Sequence, residues 1–231
     1  MSFRWPEQLH VRLYGIRHQL SVVWQRTLDE DGTLQGFACQ VLPDCHGRHF
    51  QLTQTGLLTT SSRTDLVRLM QWQFAGALEC GSKYGALPLG IRVQVSLPAM
   101  LLCLHTSELM ACLQKGAGVL ALETTGPLGE AGYPAVSQLS CVCPVWLGQY
   151  GTGDAGLLTA LAAPFSGVVL SPALQQEVQL LPEGVSLLRA QTAFLAARGR
   201  LTVVCGNARA ASLQGLLGCG VAGFQDSSSG K

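Results

Sequence analysis

The residues of this chain that can do chemistry stand at the ends of apolar runs and in one glycine-rich loop. The loop is Gly148-Gln149-Tyr150-Gly151-Thr152-Gly153, set between the apolar run ending at Leu147 and a helical run that begins at Asp154. Backbone N–H groups in such a loop, at the start of a helix, can cradle an anion, although a lone Gly-x-Gly also serves as an ordinary tight turn. Cys45, His46 and His49, in the turn PDCHGRHF, are zinc-ligand types. A structural zinc takes four ligands and only three are in view, so the turn reads as solvated surface and no metal is assigned. The ends of the predicted strands carry Gly148, Gln149, Val169 and Gly206. No His, Asp or Lys set converges there for acid and base work. Glu123 is a carboxylate at the end of the run GVLALETT, where a hydrogen-bonded structural role is its default.

These positions need elements to hold them, and the hydrophobic pattern supplies strands alternating with helices. Between Val145 and Pro172 a short apolar strand, the glycine loop, a helix over 154–163 and the strand Val168 to Leu170 form a βαβ unit. Such a unit implies parallel strands with the loop at their carboxyl ends, where barrels and open sheets keep their chemistry. Upstream, Leu20 to Trp24 and Leu34 to Leu42 flank the turn Asp29-Glu30-Asp31-Gly32 and predict a hairpin, so the sheet is not purely parallel. A helix over 61–84 carries an apolar stripe at Leu66, Leu69, Met70, Phe74, Ala77 and Leu78. The run LPLGIRVQVSL over 87–97 alternates as a strand, and a helical region follows from Pro98 to Lys115 with a restart at Ser107. The stretch 172–183, with two prolines and paired glutamines, reads as a surface connection. Further on come a helix over 185–198 closed by Gly199, a strand from Leu201 to Cys205, and a last helix from Ala211 to Leu217.

Composition narrows the function. At 231 residues the chain suits one large α/β domain that buries roughly 70% of its unfolded surface. A net charge of +1 with 13% charged residues leaves no broad basic field for nucleic acid, so no direct nucleic-acid partner is expected. No apolar run approaches the ~18 residues of a membrane helix, and the amino terminus lacks the pattern of a secretory signal, so no membrane partner and a cytoplasmic location are expected. Nine cysteines without a CxxC pair read as small buried hydrophobes in a reducing compartment. Trp5, Trp72 and Trp146 can anchor an interface, but their apolar surroundings point to the core.

The frame Leu147, Tyr150, Gly151, Thr152, Gly153 and Leu157 resembles the loop Leu-Asp-Asp-Phe-Gly-Thr-Gly-Tyr-Ser-Ser-Leu of the EAL domain, the bacterial family that linearises cyclic di-GMP. The resemblance extends from about Val11 to Gln225, and it implies a TIM-like (β/α)8 barrel with an antiparallel hairpin near its start. Residues 1–226 are then a single domain without the family's usual final helix, and 227–231 a disordered tail. It also implies that the chemistry is lost. The metal-binding and catalytic positions fall on Ala38, Gln94, Gly126, Gly148, Gln149, Val169 and Gly206, and Glu123 alone is retained. The Glu-Ala-Leu triplet lands on Ala38, Cys39 and Gln40, and the phosphate-gripping arginine on Leu42. Gln25, Glu123 and Gln225 remain as weak ligand-binding candidates.

One carboxylate is too little charge to hold magnesium, so no catalysis and no cofactor are expected. The resemblance to short, degenerate members of the family implies regulation through a protein partner. In the enterobacterial anti-flagellar factor of this type, the partner is the FlhD subunit of the flagellar master regulator. The resemblance also implies a part in cyclic di-GMP signalling, transcription regulation, motility and biofilm formation. A non-hydrolysing cyclic di-GMP receptor is the alternative, and a homodimer is compatible with the family.

Overall fold

The computed structural model describes residues 9–13, 16–44, 57–58, 61–206 and 220–225. Its strands are β1 (Leu9–Leu13), β2 (Ile16–Leu28), β3 (Leu34–Asp44), β4 (Gly90–Val95), β5 (Leu120–Thr124), β6 (Val145–Tyr150), β7 (Gly167–Leu170), β8 (Leu201–Cys205) and β9 (Gly223–Gln225). β3 to β9 run parallel to one another, and β2 closes the ring by pairing antiparallel with both β3 and β9. The result is a closed eight-stranded mixed barrel, β2 to β9, with β1 extending the opening hairpin outside the ring. Closure leaves none of the eight ring strands with a free edge, and the expected barrel with its antiparallel start is what forms.

The seven described helices are α1 (Arg63–Tyr84), α2 (Leu97–His105), α3 (Ser107–Lys115), α4 (Gly129–Leu139), α5 (Leu157–Ala162), α6 (Pro172–Leu180) and α7 (Gly184–Ala196). Ser62 caps α1, its hydroxyl accepting from the Asp65 N–H, and the predicted stripe from Leu66 to Ala77 is buried against the barrel. The helical region beyond Pro98 breaks in two at Thr106, beside the anticipated restart at Ser107. α5 begins three residues later than the pattern suggested, because Thr152 to Ala155 close a turn of their own first.

The segment expected as a surface connection is helix α6. Its signal is Ser171-Pro172: the serine hydroxyl accepts from the Leu174 N–H as an N-cap, and proline sits where no intrahelical donor is needed. Gln175 and Val178 then face inward. α4 also forms where no helix was predicted, with Pro134 inside it. The expected last helix, Ala211 to Leu217, the tail 227–231, Trp5, and Cys45, His46 and His49 lie outside the described residues. Among the described residues no single helix is long and apolar enough to cross a membrane.

Two hydrophobic layers hold the barrel. The larger lies between strands and helices; β5 and β7 are buried along their whole length because barrel interior and helix layer cover their two faces. The smaller lies inside the barrel, where Leu89, Ala121, Trp146, Val169 and Val203 form a plug. Trp146 and Trp72 are both buried, as their surroundings implied. The indole of Trp146 fits because its neighbour is glycine: a Cβ on Gly167 would stand 2.5 Å from the Trp146 ring and 2.5 Å from the Leu201 carbonyl oxygen. Gly167→Ala is therefore expected to lower the unfolding free energy by about 1–3 kcal/mol, read as a shifted urea midpoint at unchanged slope.

Candidate functional site

Above the plug, toward the carboxyl ends of the parallel strands, the barrel interior turns polar. The centre of this layer is Arg92 on β4, whose side chain is fully buried. Its Nε donates to Glu123 Oε2 on β5 at 3.1 Å. Its Nη2 donates to Thr27 Oγ1 on β2 at 3.1 Å and to Gln225 Oε1 on β9 at 2.6 Å. The guanidinium carbon lies 5.2 Å from the centroid of the Trp146 ring, so the arginine rests on the apolar plug through a cation–π contact. Nη1 has no hydrogen-bond partner.

Four glutamines extend this network. Gln94 Nε2 donates to the second carboxylate oxygen of Glu123 at 3.2 Å. Gln225 Nε2 donates to Gln25 Oε1 at 2.6 Å, and Gln25 Nε2 donates to Gln40 Oε1 at 2.9 Å. The pairing register explains the convergence. Gln94 lies opposite Glu123, Thr27 opposite Gln225, and Gln25 opposite Ala38, so inward-facing positions two residues apart stack in layers. The three weak ligand candidates Gln25, Glu123 and Gln225 thus stand together, joined by an arginine that the motif comparison passed over.

The remaining predicted positions bring no further charge. Ala38 is buried with no polar side chain to offer, and Val169 belongs to the plug. Gly206 donates its N–H to the Gln225 carbonyl oxygen at 2.6 Å, and Leu42 is 37% exposed. Gly126 and Gly206 both have positive φ, at 79° and 124°. Gly148 donates its N–H to Thr124 Oγ1 at 3.3 Å, and a Cβ there would collide with the Thr124 carbonyl oxygen and come within 3.3 Å of Glu123 Oε1. A carboxylate at that position needs a shifted backbone. Gln149 is exposed and sits at φ 53°, the one described non-glycine residue in the left-handed region.

The electrostatics follow from this packing. Burial pulls the Arg92 guanidinium down from its ordinary value, and the adjacent Glu123 carboxylate opposes that shift. Burial, with a smaller contribution from Glu123, pushes the Cys205 thiol up to about 12, so it is no thiolate nucleophile at neutral pH. One cation and one anion leave the layer neutral. EAL enzymes use divalent metal, and the residues present do not fit one: both oxygens of Glu123 are engaged as acceptors, with a guanidinium at 3.1 Å. Among the described residues no group of three His, Cys, Asp or Glu side chains is placed to hold a metal ion.

No protein-family model and no curated protein matches the sequence. Solved structures do match the fold. The EAL enzyme Bd1971 in its cGMP-bound form superposes with a TM-score of 0.72 at 14% identity over 90% of this chain. This chain spans 60% of the length of that enzyme. The PaMucR phosphodiesterase in complex with c-di-GMP gives 0.70 at 19% identity, over 92% of this chain and 91% of that one. The FimX EAL domain of Xanthomonas citri in complex with c-diGMP gives 0.67 at 13% identity, over 90% and 85% of the two chains. The fold is that of an EAL domain.

Sequence reasoning missed Arg92 because it compared positions with the family motif and stopped at Val93-Gln94-Val95-Ser96. The signal was present in alternation: in a strand with Gln94 facing inward, Arg92 shares its face, and a charge inside a barrel needs a partner. Arg92→Met leaves Glu123 buried without its cation and is expected to cost about 3–5 kcal/mol in denaturant unfolding. Adding Glu123→Gln to it should recover most of that loss, a coupling that a double-mutant cycle measures directly. Gln149→Gly should stabilise by about 1 kcal/mol, since glycine carries no Cβ penalty at φ 53°.

Proposed function

We propose that this protein is a non-catalytic EAL-fold regulator that acts by binding another protein. One observation carries the reading: the carboxylate retained at the family's metal position is already used, with Arg92 and Gln94 on its two oxygens. Metal-assisted hydrolysis needs a cation to lower the pKa of bound water from about 15.7 toward 7, and this layer offers a guanidinium instead. The flanking positions Gly148, Val169 and Ala38 contribute neither carboxylate nor amine.

A dianionic nucleotide is also poorly served. The neighbours PaMucR and FimX are solved in complex with c-di-GMP, and the family resemblance implies a phosphate-gripping arginine and a lysine that assists the attacking water. Here those positions hold Leu42 and Val169. Two lost charge-assisted contacts, each about 1.5–3 kcal/mol, weaken binding by a hundredfold or more. With hydrolysis and nucleotide binding disfavoured, the intact barrel serves as a scaffold for a protein surface. A transcriptional regulator is the partner class that the resemblance to short degenerate EAL proteins suggests, and a cytoplasmic location goes with it. Fold alone does not fix function, so the decision belongs to experiment.

Calorimetric titration of the purified protein with cyclic di-GMP, with and without magnesium, tests the reading alongside a hydrolysis assay followed by chromatography. No binding heat at high micromolar concentration and no linear product are expected. Micromolar or tighter binding without hydrolysis would make the protein a receptor, and turnover would make it an enzyme.

A further inference from the structure

The segment that carries β5, β6 and β7 and the helices after them differs from the rest of the sequence in charge. Between Lys115 and Arg189 there is no Lys, Arg or His. The charged residues of that stretch are Glu123, which is buried on Arg92, and Glu130, Asp154, Glu177 and Glu183, which are all exposed. The same segments carry four exposed leucines: Leu158 at 84%, Leu180 at 83%, Leu181 at 56% and Leu187 at 53%. All four lie on α5 and on the α6–α7 segment, which leave the carboxyl ends of β6 and β7.

A cleft of about 500 Å³ opens at this end, between the loop entering α4 and the loop entering α5. Leu128, Tyr133, Leu147, Leu157 and Leu158 line it, and Asp154 stands on its wall. An apolar cleft with an exposed leucine at its edge is the geometry into which amphipathic helices set anchoring side chains.

We propose that this cleft docks an amphipathic helix of a partner protein, with apolar anchors in the groove and Lys or Arg flanking them. The proposal rests on the reading of the protein as an interaction module and names the chemistry of its partner. Charge decides among occupants. A second copy meeting this cleft through a two-fold axis would set Asp154 on its wall, and Glu130 beside Gly129 of its lining, against the same two carboxylates. An anionic membrane or a nucleic acid is repelled by the same two carboxylates. A basic helix gains from both, in encounter rate and in selectivity against acidic helices.

The test uses the full chain and two synthetic helical peptides, identical in their leucine face, one flanked by lysines and the other by glutamates. Fluorescence anisotropy at physiological salt should show the lysine peptide binding at least tenfold more tightly. Leu158→Ser, a change at an exposed residue that leaves the core intact, should weaken that binding about tenfold. Asp154→Lys should reverse part of the preference for lysine. Equal affinity for the two peptides, or binding that ignores Leu158→Ser, would overturn the proposal. So would a dimer in sedimentation that Leu158→Ser dissolves, because the occupant is then a second copy. Nucleotide titration of the same samples is read separately, so loss of the interaction-module reading and loss of this cleft's role give different results.

Discussion

An arginine inside the barrel is the constraint on which the rest of this structure depends. A guanidinium buried without partners would be prohibitively unfavourable, and Arg92 is accommodated because five elements answer it. Glu123 supplies the opposite charge, Thr27 and Gln225 supply oxygens, Trp146 supplies a π face, and Gly167 leaves room for that indole. Each of these sits on a different strand, β5, β2, β9, β6 and β7, so the arginine ties together the closure of the ring as well as its interior. A buried ion pair is no guarantee of net stability, yet losing either partner strands the other in a low-dielectric interior. The two residues are therefore coupled.

The same interaction bears on metal binding, because Arg92 and Gln94 engage both oxygens of Glu123. In an EAL enzyme the carboxyl ends of the strands gather carboxylates whose mutual repulsion a divalent cation relieves. Here a guanidinium stands 3.1 Å from the carboxylate, and the neighbouring positions hold amides, small residues and aliphatic groups. The network Gln94, Glu123, Arg92, Gln225, Gln25 and Gln40 runs across four strands and the closing β9. Such a connected polar interior is specific and rigid, with Arg92 Nη1 left as a buried donor without a partner.

Much of this was legible in the sequence because barrels write themselves in period-two apolar runs and short breakers. The hairpin turn at Asp29-Gly32, the helix expected over 61–84, and the strands around Glu123, Leu147 and Val169 follow from pattern alone. The stretch 172–180 was misjudged because paired glutamines look like surface, whereas Ser171-Pro172 is a helix start and Val178 an anchor. α4 was unsignalled because Gly129, Gly132 and Pro134 disguise it. In the site, Glu123 was visible as a lone carboxylate, but its partner was not. Arg92 pairs with it across two strands, 31 positions away, and only the register of β4 against β5 brings the two together.

The central claim is that Arg92, rather than a divalent cation, is the counter-ion of Glu123. Nitrogen-15 NMR of the arginine side chains tests it, following the Arg92 Nε–H resonance during titration with manganese up to millimolar concentration. A protected Nε–H signal that keeps its position and width is the predicted result. Paramagnetic broadening confined to the Arg92 Nε–H at low manganese would place a metal beside Glu123 and contradict the account.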